Sequence, residues 1–190
     1  MSVLRWLRIF LPLLLVALVV AAVVLVFSSR NDLRQARGRV DSAWTPLQHE
    51  LDSRYDVLHT AFSNDTIRSV PGPFHTIVTQ VAFAYQHWRD LEQHHGSVAD
   101  EVAAANDLEA AGRRLVQAAQ QATRLKGNQA ALAAVDAYAN NSLPSSARVV
   151  VDFEAQVARF QKLRDRPANR LAARVLGYDA IPDYDAAASG

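Results

Sequence analysis

The chain opens on a stretch with no polar face and then settles into helical stripes separated by short polar breaks. From Ile9 to Phe27, nineteen consecutive residues carry no charge and no strongly polar side chain. At 1.5 Å per residue this covers roughly the 30 Å hydrocarbon core of a bilayer. Trp6 and Phe27 fall near its two ends, and Arg5 and Arg8 can extend their stems outward to the interface. A cleaved signal peptide has a shorter apolar core and ends on small residues. Here the stretch exits through Val24-Leu25-Val26-Phe27-Ser28-Ser29-Arg30, with bulky residues where small ones are needed. The pattern predicts an uncleaved single-pass anchor over residues 1–29, with Pro12 tolerated near its start.

No breaker separates the anchor from the first amphipathic stripe. Val40, Trp44, Leu47, Leu51, Tyr55, Leu58 and Phe62 recur in steps of three and four. They therefore share one face of a helix that continues out of the membrane span. Pro46 lies inside this stripe and is expected to kink or restart it, because it removes an intrahelical hydrogen bond. Val70-Pro71-Gly72-Pro73 is a clear break. A second stripe runs through Phe74, Ile77, Val78, Val81, Tyr85, Trp88 and Leu91. After Gly96, Ser97-Val98-Ala99-Asp100 reads as a capping box, and a third stripe follows from Val98 through Val102, Ala105, Leu108 and Leu115 to Leu125. An Ala-rich helix is expected over about Gln129–Tyr138. Another, over Ser146–Leu163, aligns Val149, Val150, Phe153, Val157 and Phe160. A last one starts at Pro167, carries Leu171, Ala172, Val175 and Leu176, and stops at Gly177.

No segment alternates cleanly, so no strand is expected. The fold class that results is all-α, an N-terminal transmembrane helix continuing into an antiparallel helical bundle over residues 30–185. Residues 186–190 form a short flexible tail, while Tyr178 and Tyr184 are expected to fold back onto the bundle.

Composition sharpens the picture in three places. Half of the residues are hydrophobic, yet the mean hydropathy is only −0.04, as expected when the apolar residues are concentrated in one segment. Lys+Arg 20 against Asp+Glu 19 leaves a net charge of +1, which excludes a nucleic-acid binder driven by bulk charge. Cysteine is absent, so disulfides, thiolate metal sites and cysteine nucleophiles are excluded. Arg30, Arg34, Arg37 and Arg39 follow the apolar stretch and only Arg5 and Arg8 precede it, a count that places the bundle on the cytoplasmic side of the cell membrane. The same arginines are candidates for contact with anionic lipid head groups.

Both ends of the bundle carry a pattern. Asn31, Leu33, Arg37, Arg39, Val40, Ala43, Trp44, Leu51, Arg54, Tyr55, Asp56 and Leu58 come directly after the anchor. Near the other end stands Asp152-Phe153-Glu154-Ala155-Gln156-Val157-Ala158-Arg159-Phe160-Gln161, then Pro167, Asn169, Ala172, Gly177-Tyr178, Pro182 and Tyr184. In order and spacing these resemble the LemA family, over the anchor, the first helix and the last forty residues. The sequence departs from that pattern where aromatic–Asn pairs have become Phe153-Glu154 and Phe160-Gln161, where Thr60–Pro73 looks inserted, and at Arg166. The resemblance implies a divergent, membrane-anchored helical bundle of the bacterial cell membrane. It implies a non-catalytic scaffold or interaction module, with protein partners or copies of itself and no cofactor.

Independent chemistry is sparse. Phosphate-binding glycine loops, a Gly-x-Ser-x-Gly elbow and a His-Glu-x-x-His helix are all absent from the sequence. Two carboxylate–histidine spacings remain, Asp56–His59 and Glu92–His95, with His94 beside the latter. Helical di-metal sites use such pairs, facing inward from two helices. At 100° per residue Glu92 and His95 lie within about 40° of Trp88, on the apolar face, whereas Asp56 lies about 120° off its stripe. Glu154 is flanked by Phe153 and Val157, which own the buried face. Glu92 and His95 are thus the one interruption read in any stripe, and two ligands from one helix hold a metal poorly. The sequence assigns no catalytic, cofactor or metal residues and no enzyme activity. A metal-binding bundle using Glu92/His95 is one alternative. An oligomeric membrane assembly, with close approach at Ala17, Ala21 and Ala22, is another.

Overall fold

The computed structural model describes residues 3–125 and 127–185. The side chains of residues 3–13, 15, 17–19, 21–23, 25–27, 124 and 168 are not described. Among the described residues the chain is all-helical, in seven α-helices: α1 (Val3–Phe62), α2 (Asp65–Arg68), α3 (Pro73–Gln93), α4 (Val98–Gln121), α5 (Gln129–Asn140), α6 (Arg148–Arg164) and α7 (Pro167–Leu176). A single 3-10 turn, Thr123–Leu125, follows α4.

α1 runs unbroken for 60 residues, about 90 Å at 1.5 Å per residue. It passes through Pro46 without restarting, so of the two expected outcomes, kink or restart, the restart does not occur. Pro46 is exposed, and losing one hydrogen bond on the solvent side does not force the helix to end there. Among the described residues no helix is long and apolar enough to cross a membrane. The expected anchor, Ile9–Phe27, falls largely on side chains outside the described set. Those that are described, Leu14, Val16, Val20 and Val24, are exposed. The expected tail at 186–190 also lies outside the described residues.

Among the described side chains of α1, burial begins at Ser29 and Leu33 and continues along the expected stripe to Phe62, so the second half of the helix is the spine of the core. α3 runs antiparallel to it, with Tyr85 on His59 and Phe62 and Trp88 on Tyr55 and Trp44. α4 runs parallel to α1, pairing Trp44 with Glu101 and Arg54 with Glu109. α6 is antiparallel again, with Val149 near Pro46 and Arg159 near Arg39. Trp44, Trp88, Phe153 and Phe160 share one core, as their stripes predict. Trp44 meets Trp88 edge-on at 6.2 Å and Phe153 at 5.2 Å, geometries that favour the ring quadrupoles.

The helix ends obey local chemistry. Ser97 accepts from the Asp100 amide and donates to its carboxylate, the expected N-terminal cap of α4. Asn64 caps α2, a short helix inside the Ser63–Pro73 break that periodicity did not show. Asn128 caps α5 and also donates to Thr66 across the bundle. Gly177 closes α7 at φ 70, the left-handed stop expected of it.

Beyond Gly177 the chain becomes an extended strap over the bundle. Ile181 and Tyr184 are buried, Gln161 donates to the Ile181 carbonyl at 2.6 Å, and Asn106 bonds the backbone of both Asp183 and Asp185. Tyr178 is half-buried and meets Phe160 edge-on at 6.5 Å. Both tyrosines therefore fold back, as the sequence suggests.

Candidate functional site

The Glu92–His95 pair straddles the end of α3. His95 is exposed at φ 52, just past the end of α3. Glu92 is half-buried and forms an ion pair with Arg89 at 2.6 Å. His94 is exposed and bonds the Asp90 carbonyl. Asp56 is exposed, and His59 stacks on Tyr85. Among the described residues no group of three or more His, Asp or Glu side chains is placed to hold a metal ion.

Other residues interrupt the stripes. Arg54, Glu101 and Glu109 are buried, so the reading that singled out Glu92 and His95 is corrected. Glu109 has no exposed surface and receives a bidentate pair from Arg54, Nε to Oε1 at 2.7 Å and Nη2 to Oε2 at 3.0 Å. Tyr138 donates to Oε2 at 3.1 Å and Tyr184 to Oε1 at 3.5 Å. Arg54 Nη1 donates to the Tyr138 carbonyl at 3.0 Å and to the Asn141 carbonyl, and the guanidinium lies 4.1 Å over the Tyr138 ring. One knot thus joins α1, α4, the end of α5 and the strap. The planar fork of arginine suits this bidentate pairing, and the ring adds a cation–π contact.

Packing explains why Gly112 stands one turn beyond Glu109. A Cβ there would meet the Tyr138 hydroxyl and lie 2.7 Å from its Cζ, so only glycine lets the ring pass. Burial opposes the charge on Arg54, but hydrogen bonding to Glu109 and the charge of that carboxylate outweigh it and raise the guanidinium pKa further. Burial, reinforced by the negative Glu109, raises the pKa of Tyr55, Tyr138 and Tyr184 as well. Tyr55 donates to the Ala105 carbonyl at 3.2 Å, so all three phenols are donors and stay protonated.

A second knot lies about two turns along α4 on the side of the paired tryptophans. Trp44 Nε1 donates to Glu101 Oε2 at 2.5 Å, and Trp88 Nε1 donates to Asp52 Oδ1 at 3.1 Å. Burial raises the pKa of both carboxyls. The indole bonds oppose that shift, while nearby Glu92 adds to it in both cases.

Four surface clefts of about 350–500 Å³ lie among the described residues, and none of these four is lined by Arg54, Glu101 or Glu109. With its acceptor positions taken by Arg54, Tyr138 and Tyr184, Glu109 has no free position from which to move a proton or bind a substrate. The class defined by this interior is an all-α bundle in which Arg54, Glu101 and Glu109 cross-link its own helices. No family model, curated protein or solved structure matches the chain.

Proposed function

We propose that the protein is a non-catalytic scaffold anchored in the cell membrane through residues 9–27, holding a rigid bundle at the bilayer surface for protein partners. The observation that carries this reading is the continuity of α1. The helix whose first half bears the apolar stretch also supplies the spine of the core, with no hinge between them. A force or displacement at the membrane segment is therefore passed directly to the bundle. The buried polar groups favour the same reading, because Arg54 and Glu109 satisfy each other instead of facing a cleft. The LemA resemblance of both ends points the same way, and the arginine count favours the cytoplasmic face.

Membrane fractionation with N-terminal sequencing is the test. The chain should stay with membranes after alkaline washing and keep residues 1–29, and a reporter fused after Gly190 should be active in the cytoplasm. A processed chain in the aqueous fraction would refute the anchor, and a reporter active only outside would reverse the orientation. Cross-linking in native membranes should then capture a protein partner. Capture of the chain alone would favour the oligomeric assembly.

A further inference from the structure

α1 and α6 leave a groove of about 350 Å³ between them, lined on one side by Asp32, Gln35, Ala36 and Arg39 and on the other by Arg159, Lys162, Leu163 and Arg166. Four cations and one carboxylate face each other across it. Arg39, Arg159, Lys162 and Arg166 are all exposed, and among the described residues none forms an ion pair; Arg39 bonds only Gln35, at 2.9 Å. Their neighbours are treated differently, since Arg37 is paired with Asp41 and Arg164 with Asp165. Exposed like charges held this close repel one another, so the groove is built for an anion.

Its place along α1 says which anion. On α1 the groove runs from Asp32 to Arg39, five to twelve residues beyond Phe27, or about 7.5–18 Å along the helix. Its near end lies at the edge of a polar head-group layer, which adds roughly 5–8 Å to each side of the hydrocarbon core, and the long basic side chains further out can extend back toward it. We propose that this groove binds the head-group phosphate of anionic phospholipid, which would clamp the base of the bundle to the bilayer. The inference rests on the anchored reading and adds a second, electrostatic attachment to it. Only half of the site could be read from sequence: Arg39 belongs to the cluster after the apolar stretch, but Arg159, Lys162 and Arg166 reach it only because α6 runs antiparallel to α1.

Full-length protein provides the test, with vesicles of phosphatidylcholine alone or with about one third phosphatidylglycerol. Flotation reports attachment, and the lipids retained after detergent extraction report preference. Because the chain has no cysteine, a fluorophore on Gln35→Cys reads the groove alone. Wild type should float with both vesicles, retain phosphatidylglycerol preferentially and shift its emission only with the anionic lipid. Arg159→Gln with Lys162→Gln should still float and keep its unfolding temperature. It should lose preference by about fivefold for each cation removed, the effect of about 1 kcal/mol per basic residue near a charged surface. Flotation with no lipid preference overturns the groove and leaves the anchor. Failure to float on phosphatidylcholine, with binding to anionic vesicles that needs Arg159 and Lys162, overturns the anchor and upholds the groove. A fluorophore response to inorganic phosphate in detergent, without one to phosphatidylglycerol, overturns the lipid assignment.

Discussion

Glu101 and Glu109 occupy the same buried face of α4, two turns apart, yet they live under different rules. Glu109 is wholly enclosed and faces a cation, Arg54, that can do nothing but remain charged. Glu101 is nearly as buried but meets the neutral indole of Trp44, with Glu92 and Asp52 close enough to disfavour its charge. The difference teaches what fixes a buried acid. A charge partner makes ionisation part of the fold, whereas an indole N–H tolerates either protonation state. The first carboxylate is a structural rivet, and the second is a group that can be discharged at little loss.

The largest effect should come from breaking the rivet from one side. Glu109→Gln leaves Arg54 buried without a counter-charge and should cost about 3–5 kcal/mol in urea unfolding. A loss under 1 kcal/mol would mean that water reaches Arg54 in the folded protein. Next comes Gly112→Ala, whose methyl would strike the Tyr138 ring beside the same pair. Overpacking of this kind costs about 1–3 kcal/mol, and the fluorescence of Tyr138 should report the displaced ring.

Most of the fold was legible because apolar spacing is a local property. The stripe from Val40 to Phe62 and the Trp88 and Phe153 faces are buried as their spacing predicts, and the start at Ser97 and the stop at Gly177 hold. The polar core was legible only in part. At 100° per residue Glu101 and Glu109 lie within about 40° of Ala105, and Arg54 borders Leu47, so all three could be seen to touch an apolar face. What the spacing lacks is the pairing, since Arg54 and Glu109 are 55 residues apart and meet only because α4 runs parallel to α1. Glu92 misled in a different way: it does face inward, half-buried with its Oε2 enclosed against Arg89, but α3 ends just beyond it at Gln93 and leaves His95 exposed.

A smaller effect distinguishes the second acid. Asp52 and Glu101 hold their protons more tightly folded than unfolded, so the folded chain binds more protons just above the ordinary carboxylate range. These two groups therefore contribute stability that is fully present below the ordinary carboxylate range and is lost as pH rises from about 4 through the raised values. Glu101→Gln should flatten that slope and change stability at neutral pH by less than about 1 kcal/mol. A steep loss at neutral pH would show that Glu101 is held as an anion after all. Smallest of all, changing Glu92 and His95 together to Gln should move stability by no more than about 0.5 kcal/mol, and purified protein should carry no stoichiometric iron, manganese or zinc. Metal near one per chain, lost on that double change, would restore the metal-site alternative.

The most direct measurement of the central claim, that the interior is cross-linked by its own charges, is a double-mutant cycle between Arg54 and Glu109. Arg54→Met and Glu109→Leu should each destabilise the bundle strongly. The double variant, with no charge left stranded, should recover much of the loss, giving a coupling of about 2–3 kcal/mol. Single effects that simply add, to within about 0.5 kcal/mol, would show that the two side chains do not depend on each other and would contradict the account.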